Sequence, residues 1–323
     1  MQATAIAHPN IALVKYWGKT DVEENLPAVG SLSITLDELV TTTKVRFDGS
    51  LNADRFLIAG REEPAMAARV SACLDDLRER IGADLYAAVE SDNDFPTAAG
   101  LASSASGFAA LVVAANAALG AGLSAGDLAE LARRASGSAA RSILGGFVEL
   151  SLEGEGRRTE IRQLLPSAEW PLRVAVAVTD FGPKAVGSTA GMVRTEQTSP
   201  YYQAWVGSSP ADLAEARTAV ENRDFEALAA VSEFSCLKMH GLMLSARPGL
   251  VYWNGTTVEC IGAVRRLQAD GVPVFFTIDA GPQVKAVCLP GAHETVHSEL
   301  SAVAGVQRVL SSGLGQGARV VEK

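Results

Sequence analysis

The sequence predicts an α+β protein of two domains. Strand-like segments fill residues 4–59, whereas helical segments concentrate in residues 187–270. Strands and helices do not alternate regularly along the chain, which argues against a doubly wound parallel sheet. The length of 323 residues suits two domains or one large domain. We place the boundary beside Trp170-Pro171, which divides the chain into residues 1–170 and 171–323.

The composition excludes several classes of function. Hydrophobic residues make up 48% of the chain and charged residues 20%, as is typical of a globular protein with a sizeable core. The net charge of −9 argues against broad binding to nucleic acid or to an anionic membrane surface. An anionic small molecule would therefore need a local cluster of basic side chains.

The predicted location is the cytoplasm. The first residues carry no leader pattern, and no apolar run reaches the ~18 residues of a membrane span. The cysteines form no CxxC pair, which favours reduced thiols in the core. They are Cys73, Cys236, Cys260 and Cys288.

The hydrophobic pattern predicts the elements of the first domain. Apolar residues from Met66 to Ile81 recur at helical spacing, with Pro64 before them and Gly82 after them, so this segment is expected to be a helix. A period of two at 32–36 predicts a half-buried strand. Strands are expected at Thr4–His8, Ile11–Tyr16, Leu32–Leu36, Val40–Phe47, Arg55–Ala59, Leu85–Glu90 and Phe147–Leu152.

Helices dominate the predicted second domain. Strands are expected at Leu172–Thr179, Val274–Ile278, Val284–Leu289 and Val306–Leu310. Helices are expected at Gly187–Thr195, Pro200–Glu221, Phe225–Leu244, Thr257–Asp270 and His293–Ala302.

A run of small residues, Pro96–Gly107, leads into the apolar segment Phe108–Leu119, which is expected to be a buried helix. Gly100 can adopt a positive φ there. Free N–H groups and the helix dipole favour an anion at such an N-terminus, which predicts a phosphate-binding loop. The alternative is a loop of small residues that are packed closely for steric reasons. Three serines bring hydroxyls to this stretch: Ser103, Ser104 and Ser106.

Charged side chains at strand ends are candidates for the chemistry. Lys15 lies among apolar neighbours, so it is expected to be partly buried and to need an anionic partner. The alternative is that Lys15 and Lys19 are ordinary surface lysines. Asp279 follows an apolar strand, where it could orient or deprotonate a hydroxyl, or could simply cap a turn.

Arginines supply the other candidate cations. Arg141 lies among small residues near Ser136 and Ser138, where its guanidinium could bind a phosphate with two hydrogen bonds. The alternative for Arg141 is a surface position on a helix. Arg69 lies off the apolar stripe of its helix, so a solvated position is the simpler interpretation of that residue.

His293–His297 matches the HExxH pattern of zinc hydrolases. The helix that would carry it is short, and Val296 and Leu300 are needed for its core-facing side. Only Glu322 lies where a third ligand could be sought, so we interpret the match as accidental.

Four motifs resemble those of the diphosphomevalonate (mevalonate 5-diphosphate) decarboxylase family. They are Pro9–Lys19, Asn93–Ser104, Ser136–Ser142 and Asp279–Pro282. The motifs occur in the family's order and span most of the chain, so the resemblance is specific. The family belongs to the GHMP kinase superfamily, which implies a ribosomal-S5-like N-terminal domain, a ferredoxin-like C-terminal domain and a cleft between them.

The resemblance implies an ATP and Mg²⁺ site at the run of small residues, with Ser104 nearest the phosphate and the metal ion. Asp279 is implied to face the 3-hydroxyl of the substrate, with Lys15 beside it to keep the carboxylate ionised. The positions that match ATP contacts are Pro96, Ala99, Gly100, Leu101, Ala102, Ser103, Ser104 and Ser106. The positions that match substrate contacts are Tyr16, Lys19, Arg69, Ser136, Ser138 and Arg141.

The implied reaction phosphorylates the 3-hydroxyl of mevalonate 5-diphosphate, after which phosphate and CO2 leave and isopentenyl diphosphate forms. Two departures from the family pattern bear on the substrate. Gln283 replaces an Asn, and Val29-Gly30 replaces an Asn and a Ser. A monophosphate-specific decarboxylase, a kinase that stops at 3-phosphorylation and a non-catalytic nucleotide-binding protein stay as alternatives. A homodimer is also expected.

Overall fold

The fold was analysed in a computed structural model, which describes residues 1–95, 103–154, 158–182 and 184–322. Within these ranges the chain forms nine α-helices and sixteen strands, and all strand pairs but one are antiparallel. Helices and strands are mixed without regular alternation, so the predicted α+β class is confirmed.

The elements follow the predicted order, with additional short strands. The first part of the chain has the strands β1 (Gln2–Ala7), β2 (Asn10–Val14), β3 (Lys19–Asp21), β4 (Leu26–Pro27), β5 (Ser31–Thr35), β6 (Thr41–Phe47), β7 (Arg55–Ile58), β8 (Arg61–Glu62), β9 (Ala87–Asn93), β10 (Phe147–Glu153) and β11 (Arg158–Leu165). Its helices are α1 (Pro64–Ile81), α2 (Ser103–Leu119), α3 (Ala125–Ala135) and α4 (Arg141–Leu144). The second part has the strands β12 (Arg173–Val178), β13 (Val274–Thr277), β14 (Val284–Cys288), β15 (Arg308–Ser312) and β16 (Arg319–Glu322). Its helices are α5 (Ser188–Thr198), α6 (Tyr202–Asn222), α7 (Phe225–Leu244), α8 (Gly255–Ala269) and α9 (His293–Ser301).

A six-stranded sheet in the order β16-β1-β6-β9-β7-β8 carries helices α1 and α2. The apolar side chains of α2 pack across β1 and β6, as expected for a buried helix. Pro64 opens α1, and Gly82 ends it in the left-handed conformation with a φ of 65°. Ser124 and Asp127 form the capping box of α3, in which each side chain accepts from the other's backbone N–H.

The C-terminal strand returns to the sheet of the first part of the chain. β16 pairs antiparallel with β1, where Ala5 lies opposite Val320, so residues 319–322 belong to the first sheet. The glycine-rich stretch before β16 crosses the first part of the chain, and the Gly315 N–H donates to the carbonyl oxygen of Thr35. The division at residue 170 stays a prediction.

A four-stranded sheet in the order β11-β10-β5-β2 forms the inner layer of the first part. The prediction that β5 is half-buried is wrong, because all five of its residues are buried. Leu32 and Ile34 face a core that is shared with the second part of the chain. Ser31 and Ser33 face the guanidinium of Arg141, so the polar side of the strand is covered too.

A second four-stranded sheet, in the order β13-β14-β12-β15, forms the centre of the second part. One face packs with α6, α7 and the inner layer of the first part, and the other face carries α8 and α9. The two parts therefore share a continuous apolar core rather than a thin contact. All four cysteines are free and buried. None of the helices that the structure describes is long and apolar enough to cross a membrane.

Candidate active site

A cleft of about 870 Å³ opens where β2 ends, between the two parts of the chain. The N-terminal turn of α2, the connection from α3 to α4, the start of α5 and the turn after β13 form its walls. The cleft brings together nine of the residues that the sequence analysis assigns to a site. They are Lys15, Tyr16, Lys19, Arg69, Ser104, Ser136, Ser138, Arg141 and Asp279.

Lys15 and Asp279 form an ion pair across the boundary between the two parts. The Nζ of Lys15 lies 2.7 Å from Oδ1 of Asp279 and also donates to the carbonyl oxygen of Ala12 at 2.9 Å. Lys15 is 1% exposed, so it is more deeply buried than predicted, and the alternative of a surface lysine is wrong. A buried ammonium ion requires such a partner.

Lys285 is a second cation on the same carboxylate, and the sequence analysis missed it. Its Nζ lies 3.1 Å from Oδ2 of Asp279, and its side chain is 2% exposed. Burial raises the pKa of Asp279, but Lys15 and Lys285 outweigh burial and hold this pKa well below its usual range. The signal that could have found Lys285 is the one that marked Lys15: a lysine inside an apolar strand.

Lys184 is a further cation that the sequence analysis missed. Its Nζ donates to the Ser188 hydroxyl at 2.9 Å and to the carbonyl oxygen of Ala280 at 3.2 Å. Burial lowers the pKa of Lys184, while the negative charge of Asp279 opposes this shift. Three lysines therefore surround one carboxylate, which leaves this end of the cleft positively charged.

Arg141 is buried in the wall of the cleft and forms no ion pair with a carboxylate among the described residues. Its guanidinium donates to the hydroxyls of Ser31 at 2.6 Å and Ser33 at 3.1 Å, and it lies 5.9 Å from the ring centre of Tyr16. The alternative of a surface arginine is wrong, since Arg141 is 1% exposed. Burial lowers its pKa to about 10. A buried guanidinium with only neutral partners is an open site for an anion.

The hydroxyl of Tyr16 is buried and has no hydrogen-bond partner among the described residues. Burial raises the pKa of Tyr16 to about 12, so the phenol keeps its proton. Gly137 is needed beside it, because a Cβ at that position would lie 2.3 Å from the phenol oxygen. The Asn10 amide holds the neighbouring turn, donating to the carbonyl oxygen of Ser138 and to the Ser142 hydroxyl.

Lys19 and Arg69 complete the basic lining. The Nζ of Lys19 lies 3.3 Å from the Thr189 hydroxyl, and burial, followed by the charge of Arg69, lowers the pKa of Lys19. The guanidinium of Arg69 donates to the carbonyl oxygen of Ala135 at 2.8 Å and lies 4.9 Å from the ring centre of Phe108. Arg69 is exposed, as the simpler interpretation of the sequence expects, and it also borders the cleft.

Most of the predicted phosphate-binding loop lies outside the described residues. This holds for Pro96, Ala99, Gly100, Leu101 and Ala102. Helix α2 begins at Ser103, and Ser104 lines the cleft in its first turn. The Ser106 hydroxyl lies 2.6 Å from the Thr41 hydroxyl in the core, and its contact with ATP stays a prediction.

The departures from the family pattern lie in packing positions among the described residues. The amide of Gln283 accepts from Thr179 N–H at 2.7 Å and donates to the Asp180 carbonyl oxygen, so it joins the start of β14 to the end of β12. Val29 is buried in the core. A Cβ on Gly30 would lie 2.5 Å from Leu213, so α6 packs there because the position has no side chain.

The HExxH match is part of helix α9. His293 is buried, and its Nε2 lies 2.9 Å from the Ser311 hydroxyl. The ring centres of His293 and His297 are 6.2 Å apart. In the part of the chain that the structure describes, no group of His, Cys, Asp and Glu side chains is arranged to hold a metal ion.

The two-part α+β fold and its basic cleft at a helix N-terminus define a protein of the GHMP kinase class. Two family models match consecutive parts of the chain. The diphosphomevalonate decarboxylase-like N-terminal domain matches residues 7–160, and the mevalonate 5-diphosphate decarboxylase C-terminal domain matches residues 174–320. The chain belongs to the diphosphomevalonate decarboxylase family.

Individual relatives agree with this assignment. The chain is 38% identical to human diphosphomevalonate decarboxylase over 301 residues, which cover 86% of this chain and 74% of the human protein. It is 33% identical to the Candida albicans enzyme, with 98% and 96% of the two chains covered. The crystal structure of mevalonate diphosphate decarboxylase from Staphylococcus aureus is 37% identical, has a TM-score of 0.93, and covers 99% of this chain and 98% of its own.

One solved structure is described with its ligands, as "MDDEF in complex with MVAPP, AMPPCP and Magnesium". It is 39% identical to this chain, with a TM-score of 0.91, and the match covers 100% of this chain and 99% of that one.

Proposed function

We propose that the protein catalyses the ATP-dependent decarboxylation of mevalonate 5-diphosphate to isopentenyl diphosphate, with release of ADP, phosphate and CO2. It would act as a lyase in the mevalonate pathway of isoprenoid biosynthesis. The observation that carries the proposal is that one cleft holds both a carboxylate fixed by lysines and a buried arginine open to an anion. Asp279 is held by Lys15 and Lys285, and Arg141 forms no ion pair with a carboxylate among the described residues.

The Arg141 end of the cleft suits the diphosphate of the substrate. The guanidinium already donates to two serine hydroxyls, and its remaining N–H groups can donate to phosphate oxygens. The Tyr16 hydroxyl, which has no partner among the described residues, can donate beside it. Lys19 and Arg69 add positive charge at the rim, where the loss of water strengthens their attraction for an anion. Ser136 and Ser138 also line the cleft.

The N-terminus of α2 suits ATP with Mg²⁺. Ser104 lies in its first turn and borders the cleft, and helix N–H groups at this end favour phosphate oxygens. The complex described with AMPPCP and magnesium supports the same assignment in a similar protein. When bound, ATP supplies the phosphoryl group for the 3-hydroxyl. The hydroxyl of Ser104 is the candidate ligand for the metal ion.

We assign Asp279 the role of orienting the 3-hydroxyl. Lys15 and Lys285 outweigh burial and hold the pKa of its carboxyl below the usual range, so the carboxylate stays ionised. Its side chain is 30% exposed toward the cleft, so the carboxylate can still accept a hydrogen bond from the hydroxyl. Fixed positions of this kind can be worth roughly 7–11 kcal/mol of the reaction barrier.

The alternative substrates have no specific support in the described residues. Gln283, Val29 and Gly30 are the positions that departed from the family pattern, and each has a packing role outside the lining of the cleft. A binding protein without catalysis would have no need of a buried lysine pair on Asp279, since such pairs are costly to desolvate.

Two further properties are part of the proposal. Free, buried cysteines support a cytoplasmic location, because disulfides are rare in reducing compartments. The expected homodimer is tested by the mass of the protein in solution, measured by light scattering after gel filtration. A mass of one chain, 33.7 kDa, would contradict it.

The substrate is tested with three candidates in parallel: mevalonate, mevalonate 5-phosphate and mevalonate 5-diphosphate, each with ATP and Mg²⁺. We expect isopentenyl diphosphate from the diphosphate alone, detected by mass spectrometry. Isopentenyl phosphate from the monophosphate at an equal or greater rate would replace the proposed substrate. A stable 3-phosphorylated product from any candidate would favour a kinase.

A further inference from the structure

Lys285 occupies a position that a purely structural role explains poorly. It lies inside β14, a central strand of its sheet, opposite Thr277 on β13 and Val176 on β12. Its side chain is 2% exposed, and its Nζ lies 3.1 Å from Oδ2 of Asp279. A buried lysine pays a large desolvation cost, and an apolar side chain of equal volume would usually stabilise such a position as well or better.

The two lysines come from different parts of the chain. Lys15 follows β2 and engages Oδ1 of Asp279, while Lys285 on β14 engages Oδ2. The Thr277 hydroxyl and the Nζ of Lys15 both donate to the carbonyl oxygen of Ala12, so the two parts are joined beneath the carboxylate. The carboxylate is therefore held on both oxygens, once from each side of the cleft.

We propose that Lys285 is a positioning residue for the reaction, which fixes the orientation of the Asp279 carboxylate toward the substrate hydroxyl from the side opposite Lys15. This inference rests on the proposed function, because it assigns Asp279 to that hydroxyl. Lys285 does not need to touch the substrate. It acts through the oxygen that Lys15 does not hold.

Among the described residues, Lys15 and Lys285 are the two cations that contact the Asp279 carboxylate directly. Lys184 and Arg141 act on Asp279 only through their charge at longer range. From α7, His240 and Cys236 face the same group, but burial lowers the pKa of His240 to about 3 and raises that of the Cys236 thiol, so both are neutral. Removing the charge of Lys285 therefore leaves Lys15 as the one direct cation among the described residues.

The test compares wild type with Lys285→Met, which removes the charge at similar volume. We expect kcat to fall by about 100-fold, the cost of a ~1 Å misplacement of a reacting group, with KM for both substrates unchanged. The acid limb of the kcat profile should move to higher pH, because loss of a cation raises the pKa of the Asp279 carboxyl. Lys285→Gln, which keeps a hydrogen-bond donor without the charge, should shift the acid limb in the same direction.

The control is Lys238→Met. The Nζ of Lys238 lies 2.5 Å from an Oδ atom of Asp212, and neither residue lines the cleft. Loss of Lys238 should therefore lower the melting temperature and leave the acid limb of the kcat profile in place. A folded Lys285→Met or Lys285→Gln protein with wild-type kcat would overturn the proposal. The proposal would also be overturned if kcat falls only in proportion to the loss of melting temperature and the acid limb of the kcat profile does not move.

A second readout does not depend on turnover. Carbon-13 NMR titration of the aspartate carboxyls, with Asp279→Asn to identify the resonance, should give a higher pKa for Asp279 in Lys285→Met than in wild type. An unchanged titration would overturn the role of Lys285 even in an inactive protein. Failure of wild type to form isopentenyl diphosphate would instead contradict the proposed function, so the two failures are distinguishable.

Discussion

At the scale of single residues, the buried cations of the cleft fall into two kinds. Lys15 and Lys285 share the carboxylate of Asp279, whereas Arg141 donates to serine hydroxyls alone in the described part of the chain. Each lysine of the first kind has a carboxylate oxygen as its partner before any ligand arrives. Arg141 forms no direct ion pair with a described carboxylate, which is the expected state of a group that binds an anionic ligand.

Arg141→Ala should weaken binding of the substrate by about 2–5 kcal/mol, because the guanidinium forms a buried charged hydrogen bond with the diphosphate. The loss is measured as a higher KM for mevalonate 5-diphosphate, with KM for ATP nearly unchanged. The control is Arg78→Ala, a buried arginine that pairs with Asp54 and Asp75 outside the cleft. That variant should lose stability and keep its KM values. An unchanged KM in Arg141→Ala would remove Arg141 from the site.

Tyr16→Phe should weaken substrate binding without lowering the free energy of unfolding. The phenol oxygen is buried without a partner among the described residues, so its removal should leave the free energy of unfolding unchanged or raise it by about 1 kcal/mol. KM for the substrate should rise. Tyr252→Phe is the matched control, since that hydroxyl donates to the Val186 carbonyl oxygen and its loss should cost about 1 kcal/mol. A large loss of stability in Tyr16→Phe, measured by urea unfolding, would contradict this account.

The residues that the sequence could identify share one property: they lie in long motifs with unusual neighbours. Lys15, Arg141 and Asp279 were found in this way. Lys285 carries the same local signal as Lys15, but its partner six positions earlier is visible only when the turn between β13 and β14 is folded. Lys184 lies in a short segment of small and apolar residues without a helical or strand period, so no local pattern marks it.

At the scale of elements, hydrophobic periodicity predicted the helices that pack against a core, and it missed strands that pair at the edge of a sheet. Helix α7 has the predicted bounds, Phe225–Leu244, and α1 begins and ends at the predicted proline and glycine. Strand β11 was missed because it is an edge strand with charged outward side chains. Strand β16 was missed because it pairs with β1 at the opposite end of the chain, which no local signal reports.

Gln283 joins two elements, and its loss should affect stability before it affects binding. Gln283→Ala leaves the Thr179 N–H and the Asp180 carbonyl oxygen without their partner, which costs about 1–3 kcal/mol for each buried polar group. KM for both substrates should stay close to wild type, because Gln283 does not line the described part of the cleft. Urea unfolding measures the loss. The exposed Gln203→Ala on α6 serves as the control and should change stability by less than about 0.5 kcal/mol. A raised KM with unchanged stability would assign Gln283 to the substrate.

At the scale of the whole molecule, function depends on the contact between the two parts of the chain. Leu32 on β5 and Val174 on β12 belong to one core, and Asp279 lies above it with one lysine from each part. The sequence predicted Lys15 and Asp279 as members of this arrangement, and the family resemblance implied the existence of a cleft. It could not predict that the carboxylate has two direct cations, because that depends on how the sheets face each other.

The stability of the molecule should fall as the pH is lowered from about 6.5 toward 3. His240 is buried between α7 and the turn after β13, and burial lowers its pKa from 6.5 to about 3. Below pH 6.5 the unfolded chain binds a proton that the folded chain does not, so folding loses free energy until the pH reaches the folded pKa. Urea unfolding at a series of pH values measures this slope. In His240→Gln the slope should be shallower, and an identical slope would exclude His240 as its source.

The central claim is that one cleft couples phosphorylation to loss of CO2. Its most direct test is the ratio of CO2 released to ADP formed, in a single time course with mevalonate 5-diphosphate, ATP and Mg²⁺. The account predicts a ratio of one for wild type. For Asp279→Asn it predicts neither product, while the affinity for ATP, measured by calorimetry, is largely kept. Formation of ADP without CO2 by the wild-type protein would contradict the account.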